Sequence, residues 1–167
     1  MGDVMTARAR MTEGMPFSVE SGSGHTVLLD AAEHGGGRDT GFRPMELLLV
    51  GLAGCTGMDV ISILRKKRQD VTAYEVRVRG ERAVDHPMVF TDITVEHIVT
   101  GHNVKPEAVA RAIELSETTY CGAGAMLRKT AHLKHTFRIV EAAPTDATDI
   151  PVGATNTPER NAAPQRS

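Results

Sequence analysis

The stretch RPMELLLVGLAGCTGMDVISILRKKRQ, residues 43–69, decides the fold. Pro44 suits the first turn of a helix, Glu46 complements its positive end, and Lys66, Lys67 and Arg68 complement its negative end. The segment therefore predicts one long helix. From Leu47 to Leu52 its apolar residues occur nearly all round, the pattern of a central helix rather than a surface one. The apolar run from Leu47 to Leu64 approaches membrane-spanning length. Gly51, Gly54, Thr56, Gly57, Asp59 and Ser62 interrupt it, so it reads as a buried helix with no membrane partner.

Upstream, residues 7–12, 17–20 and 26–30 read as strands, with Ser21-Gly22-Ser23-Gly24 as a hairpin turn. Residues 31–41 form a Gly-rich loop that is either mobile or shaped by a ligand. Downstream, Tyr74, Val76 and Val78 alternate with Glu75, Arg77 and Arg79, and residues 89–99 are rich in β-branched side chains, which predicts two strands. Pro106 opens a second helix carrying Val109, Ala112, Ile113, Ser116 and Tyr120 at helical spacing. It breaks near Cys121-Gly122; residues 123–130 give a further helical piece and residues 133–140 a last strand. From Ala143 the chain has little to bury, so residues 143–167 are expected to be a disordered tail and residues 1–142 one domain. The order β-β-β-α-β-β-α-α-β predicts an α+β fold with a mostly antiparallel sheet. One half-exposed sheet cannot enclose so apolar a helix, which implies a homodimer that buries it.

A chain of 167 residues and 18.0 kDa is the length of one domain. Nineteen basic against 21 acidic residues give a net charge of −2, with no basic excess to neutralise phosphates, and aromatics are only 4%. No nucleic-acid partner is expected. The two cysteines, Cys55 and Cys121, are too few for a secreted disulfide scaffold and poorly spaced for a structural zinc site. His132-x-x-His135 lies in an expected strand, where that spacing points the two rings to opposite faces, so no metal site is read there. No phosphate-binding loop or dinucleotide fingerprint is present, and no cofactor is expected. The first ten residues carry no apolar signal core, which predicts a cytoplasmic protein in which a redox-active cysteine pair is open.

Cys55 sits in mid-helix, where no free backbone N–H can stabilise a thiolate, and an ordinary thiol is only about 3% ionised at neutral pH. It is either a small buried hydrophobe or a reactive thiol served by a cation. Arg38 and Arg43 stand just upstream of the helix; Arg8 and Arg10 are available through folding. Cys121 lies where one helix ends and another begins, so the positive end of the following helix is expected to lower its pKa. Gly51, Gly54 and Gly57 each cost about 1 kcal/mol relative to Ala in a helix. They imply close approach of another helix, or a pocket beside Cys55.

Several stretches together carry a family resemblance: Arg43-Pro44-Met45-Glu46-Leu47 leading through Gly51 to Gly54-Cys55-Thr56, then Asp59 to Leu64 and a basic helix end, with Val99-Thr100-Gly101 and Tyr120-Cys121 followed by Met126-Leu127. The chain resembles the OsmC/Ohr family, in particular its YhfA-like branch. The resemblance implies an OsmC-like fold, an intertwined homodimer packed on two long central helices. It also implies a thiol peroxidase of oxidative stress defence. Cys55 would attack the distal oxygen of an organic hydroperoxide and become a sulfenic acid; Cys121 would condense with it to a disulfide, and a dithiol reductant of lipoyl type would restore the pair. Family peroxidases carry a Glu directly after the Pro at the helix start, paired with an Arg that holds the thiolate. Here that position is Met45, with Glu46 rotated about 100° further round the helix. Arg38 and Glu46 are the candidates for this pair. Met45 also motivates the alternative, a dimeric OsmC-like small-molecule-binding protein with little or no peroxidase activity.

Overall fold

In a computed structural model, residues 2–143 are described; the expected tail falls, but for its first residue, outside them. Strands β1 (Ala7–Met11), β2 (Phe17–Ser21) and β3 (Thr26–Leu29) make an antiparallel sheet. Helix α1 (Pro44–Lys66) follows, then β4 (Asp70–Arg82), β5 (Phe90–His102), α2 (Pro106–Leu115), a π-helical turn (Ser116–Tyr120), α3 (Gly122–Leu127) and β6 (His132–Glu141). The second sheet has the order β4-β5-β6. The α+β expectation holds, with two sheets in place of one. Its β5–β6 pair is parallel, because α2 and α3 carry the chain back to the end of the sheet where β5 began.

Helix α1 starts at Pro44 with Arg43 as N-cap, and the Glu46 carboxylate accepts from the Arg43 N–H at 3.0 Å. It stops three residues short of the expected end, where Arg68 adopts a φ of 54° and turns the chain into β4. Leu52, Thr56, Val60 and Leu64, spaced every four residues, form its fully buried stripe. Val60 and Leu64 pack with Val99, Val109, Ala112 and Ile113. Leu52 packs with Phe90, Ile93, Val95 and Cys121. By length and a mean hydropathy of 2.0, α1 is long and apolar enough to cross a membrane; one stripe of it packs on β4, α2 and α3.

The rest of α1 is uncovered by its own chain: Leu48, Val50 and Met58 are 46%, 51% and 69% exposed. A Cβ at Gly57 would touch Val76 at 3.4 Å, so this glycine admits a strand rather than a helix; Gly51 and Gly54 face open space. The first sheet shows a second open surface. Its register sets Met11 beside Phe17 and Leu29, and Ala9 beside Val19 and Val27, on one apolar face. None of these residues joins either core cluster.

The Gly-rich loop is shaped by the chain itself. The buried Asp30 carboxylate accepts from the Thr40 N–H (3.0 Å) and hydroxyl (2.8 Å), and from the N–H groups of Arg38 (3.0 Å) and Ala31 (2.8 Å). These bonds, led by that from the Thr40 N–H, lower its pKa to about 2. Gly37 is required at the loop's closest approach, since a Cβ there would lie 2.0 Å from the Ala31 carbonyl oxygen.

Behind the core runs a stacked polar row. His97 is fully buried; its Nδ1 lies 2.6 Å from the Tyr74 hydroxyl and its Nε2 lies 3.1 Å from His135 Nδ1. Burial, with a smaller contribution from His135, lowers the His97 pKa from 6.5 to about 4. The unfolded chain therefore binds this proton more readily than the folded one. Stability from the neutral ring is complete above pH 6.5 and is lost as pH falls toward about 4, by about 3 kcal/mol in all. The expected result is a melting temperature that is level from pH 8 to 6.5 and falls below it, with a smaller fall in His97→Phe. A level profile down to pH 4 contradicts this assignment.

Candidate active site

Cys55 lies half-buried on α1, while Cys121 is buried at the junction of the π-helical turn and α3. The two Sγ atoms and an Asp59 carboxylate oxygen all lie within 4.8 Å of one another. Cys55 and Asp59 share a helix face because they are four residues apart. Cys121 reaches them through the wide turn, closed by its N–H donating to the Ser116 carbonyl at 2.8 Å. Ser116 Oγ donates to Asp59 Oδ2 at 3.0 Å and sits 3.1 Å from Thr56 Oγ1, with Ser116 and Thr56 both fully buried. Both thiols belong to the apolar cluster that also holds Leu49, Leu52, Ala123 and Leu127.

Both cysteines are free thiols. The Gly124 N–H donates to Cys121 Sγ at 3.3 Å, the helix-end interaction expected to favour a thiolate. Burial outweighs it, and with the hydrogen bond to Cys55 it pushes the Cys121 pKa up to about 11. The expected lowering is thus reversed, and Cys121 is a protonated thiol at neutral pH.

The arginines expected to serve Cys55 are engaged elsewhere. The Arg38 guanidinium donates to the Glu13 carbonyl, and Arg43 pairs with Asp39 and donates to the Gly41 carbonyl at 3.0 Å. Arg8 and Arg10 stand on the exposed β1. Glu46 is nine residues before Cys55, roughly 180° round α1. It lines a 580 Å³ cavity with Asp39, Phe42 and Arg43 that includes neither cysteine. Among the described residues, no hydrogen bond or ion pair joins any of these groups to the dithiol.

Arg128, unread in the sequence, flanks the dithiol instead. Its Nη2 donates to the Glu117 carbonyl at 2.6 Å and its Nε to the Gly124 carbonyl at 3.2 Å, tying both sides of the Cys121 turn. Arg128→Ala is expected to slow disulfide formation by about tenfold or more through misplacement of Cys121, with the first oxidation of Cys55 unchanged; stopped-flow thiol titration reads both. Equal rates of disulfide formation contradict this. Asp59 and Ser116 were likewise unread as site residues, although Cys55-x-x-x-Asp59 is a visible helical pair.

The chain is a mixed α+β protein whose central helix and π-helical turn bring two free thiols together. The model of the OsmC-like protein family matches residues 35–136, and the chain belongs to that family. Protein YhfA of Escherichia coli K12 is 43% identical over 138 residues, covering 83% of this chain and all of YhfA. A crystal structure of a hypothetical protein from Aquifex aeolicus VF5 superposes with a TM-score of 0.75 at 27% identity, over 85% of this chain and all of that one. An organic hydroperoxide resistance protein OsmC from Legionella pneumophila superposes at a TM-score of 0.63 and 14% identity, over 81% and 96% of the two chains. That last likeness is one of fold.

Proposed function

We propose that the protein is a cytoplasmic, homodimeric thiol peroxidase that reduces organic hydroperoxides. Membership of the OsmC-like family, which includes proteins described by organic hydroperoxide resistance, points to peroxide or stress defence. The observation that carries the finer reading is the pair of sulfur atoms within 4.8 Å of one another in an apolar wall. The Cys55 thiolate attacks the distal peroxide oxygen, the O–O bond breaks, and the departing alkoxide takes a proton to leave as the alcohol. The Cys121 thiol then displaces hydroxide from the Cys55 sulfenic acid, its proton completing a water molecule, and an S–S bond forms. A dithiol, of which lipoyl groups are an example, returns both thiols by exchange. Leu49 and Leu127, half-buried in the same cluster as the thiols, offer apolar surface for the organic part of the substrate.

Consumption of cumene hydroperoxide and of hydrogen peroxide, with dithiothreitol as reductant, tests the reading. Faster turnover of cumene hydroperoxide is expected. No turnover of any peroxide favours the OsmC-like binding protein, the reading that Met45 at the position after Pro44 motivates. Arg38 and Glu46 remain the proposed thiolate clamp only if the dimer brings them to Cys55. Arg38→Ala should then slow Cys55 alkylation at neutral pH more than Arg8→Ala does; equal rates remove Arg38 from the site.

A further inference from the structure

The reduced dithiol has a neighbour that the peroxide chemistry leaves idle. Asp59 contributes a third donor atom within 4.8 Å of both sulfurs. In a tetrahedral zinc site, with metal–sulfur bonds of ~2.3 Å and a metal–oxygen bond of ~2.0 Å, adjacent donors stand roughly 3.5–3.8 Å apart. Side-chain rotations on the order of 1 Å close the present set to that size. Outer hydrogen bonds of the kind that orient metal ligands are already in place. Ser116 Oγ donates to Asp59 at 3.0 Å, Thr56 holds Ser116 at 3.1 Å, and the Gly124 N–H donates to Cys121 Sγ at 3.3 Å. There is also an approach: Asp59 lines a 370 Å³ groove with Ser62, Lys66 and Tyr120.

We infer that the reduced protein binds one zinc ion per chain through Cys55 Sγ, Cys121 Sγ and an Asp59 oxygen, with a water in the fourth position. Two thiolates and one carboxylate suit zinc rather than magnesium or calcium, whose ligands are oxygens. Two thiol protons leave as the dication enters, and no electron moves. Disulfide formation removes both sulfur ligands, so zinc and the disulfide exclude one another: the loaded protein is closed to peroxide and the oxidised protein is closed to zinc. The wide spacing of the cysteines in sequence hides this set, and the sequence alone gives no expectation of a metal there. The inference uses the dithiol of the proposed function but none of its chemistry.

The test is a titration of zinc chloride into anaerobic, phosphine-reduced, chelator-treated protein, in competition with a chromophoric chelator. One equivalent per chain is expected, with a dissociation constant in the micromolar range or tighter. Binding should vanish after both thiols are blocked with N-ethylmaleimide and in protein oxidised to the disulfide, and Asp59→Asn should weaken it at least about tenfold. Cadmium should give a thiolate-to-metal absorption band that both Cys55→Ser and Cys121→Ser diminish. Absence of zinc binding by the reduced, folded protein overturns the inference, as does affinity that survives thiol blocking or is unchanged in Asp59→Asn. Peroxide turnover is measured separately on zinc-free protein. Zinc binding without turnover leaves the site standing and removes the peroxidase reading, whereas turnover without zinc binding does the reverse.

Discussion

Cys55→Ser protein should consume no organic hydroperoxide above the buffer background, even in a single turnover, because a hydroxyl cannot replace the thiolate nucleophile. Cys121→Ser should behave differently. It should consume one equivalent and stop, leaving on Cys55 a sulfenic acid that a dimedone-type probe traps and that excess peroxide over-oxidises. The division of labour follows from the two environments. Cys121 is buried, with its pKa pushed up to about 11, and is poorly suited to open the reaction; Cys55 is half-buried and open to an arriving peroxide. Native protein given one equivalent should show an intramolecular Cys55–Cys121 disulfide by peptide mass mapping, a bond that requires the two sulfurs to close from their present separation to ~2.05 Å. Single-turnover consumption by Cys55→Ser, or a sulfenic acid trapped on Cys121, contradicts the assignment.

The second large effect concerns assembly. Leu48, Val50 and Met58 on α1, and the Met11, Phe17 and Val27 face of the first sheet, are apolar surface that the chain's own described residues leave exposed. A second copy laid on both surfaces is the proposed cover, with Gly51 and Gly54 admitting its close approach. Light scattering at micromolar concentration should give a dimer. Val50→Asp should abolish it and lower the melting temperature by about 10 °C or more, since a chain of this length loses roughly 2–4 °C per kcal/mol and a desolvated carboxylate costs several kcal/mol. A folded native monomer at that concentration, or a Val50→Asp dimer of unchanged stability, contradicts the proposal.

The sequence by itself determined the elements, because their signals are local. Pro44 and the basic residues after Leu64 bracket α1, the alternation around Tyr74–Arg79 marks β4, and Pro106 opens α2. The same locality explains the small misreading at the end of α1, where the positive φ of Arg68 is imposed by the entry into β4. It determined the two thiols as well, through the family pattern around Cys55 and Cys121. Only the tertiary structure decided what surrounds them. The parallel β5–β6 pair depends on where α2 and α3 deliver the chain, and the Gly-rich loop takes its shape from Asp30, which lies outside it. The π-helical turn that sets Cys121 over α1 is one residue wider than an α-turn, a difference that packing selects and composition does not record. Asp59 and Ser116 meet across 57 positions of chain, and the Cys121 pKa rises although its place at a helix start favours a fall. Burial sums contributions from the whole fold, whereas periodicity and capping read only one turn or one strand at a time, so the candidate thiols were legible and their electrostatics were not.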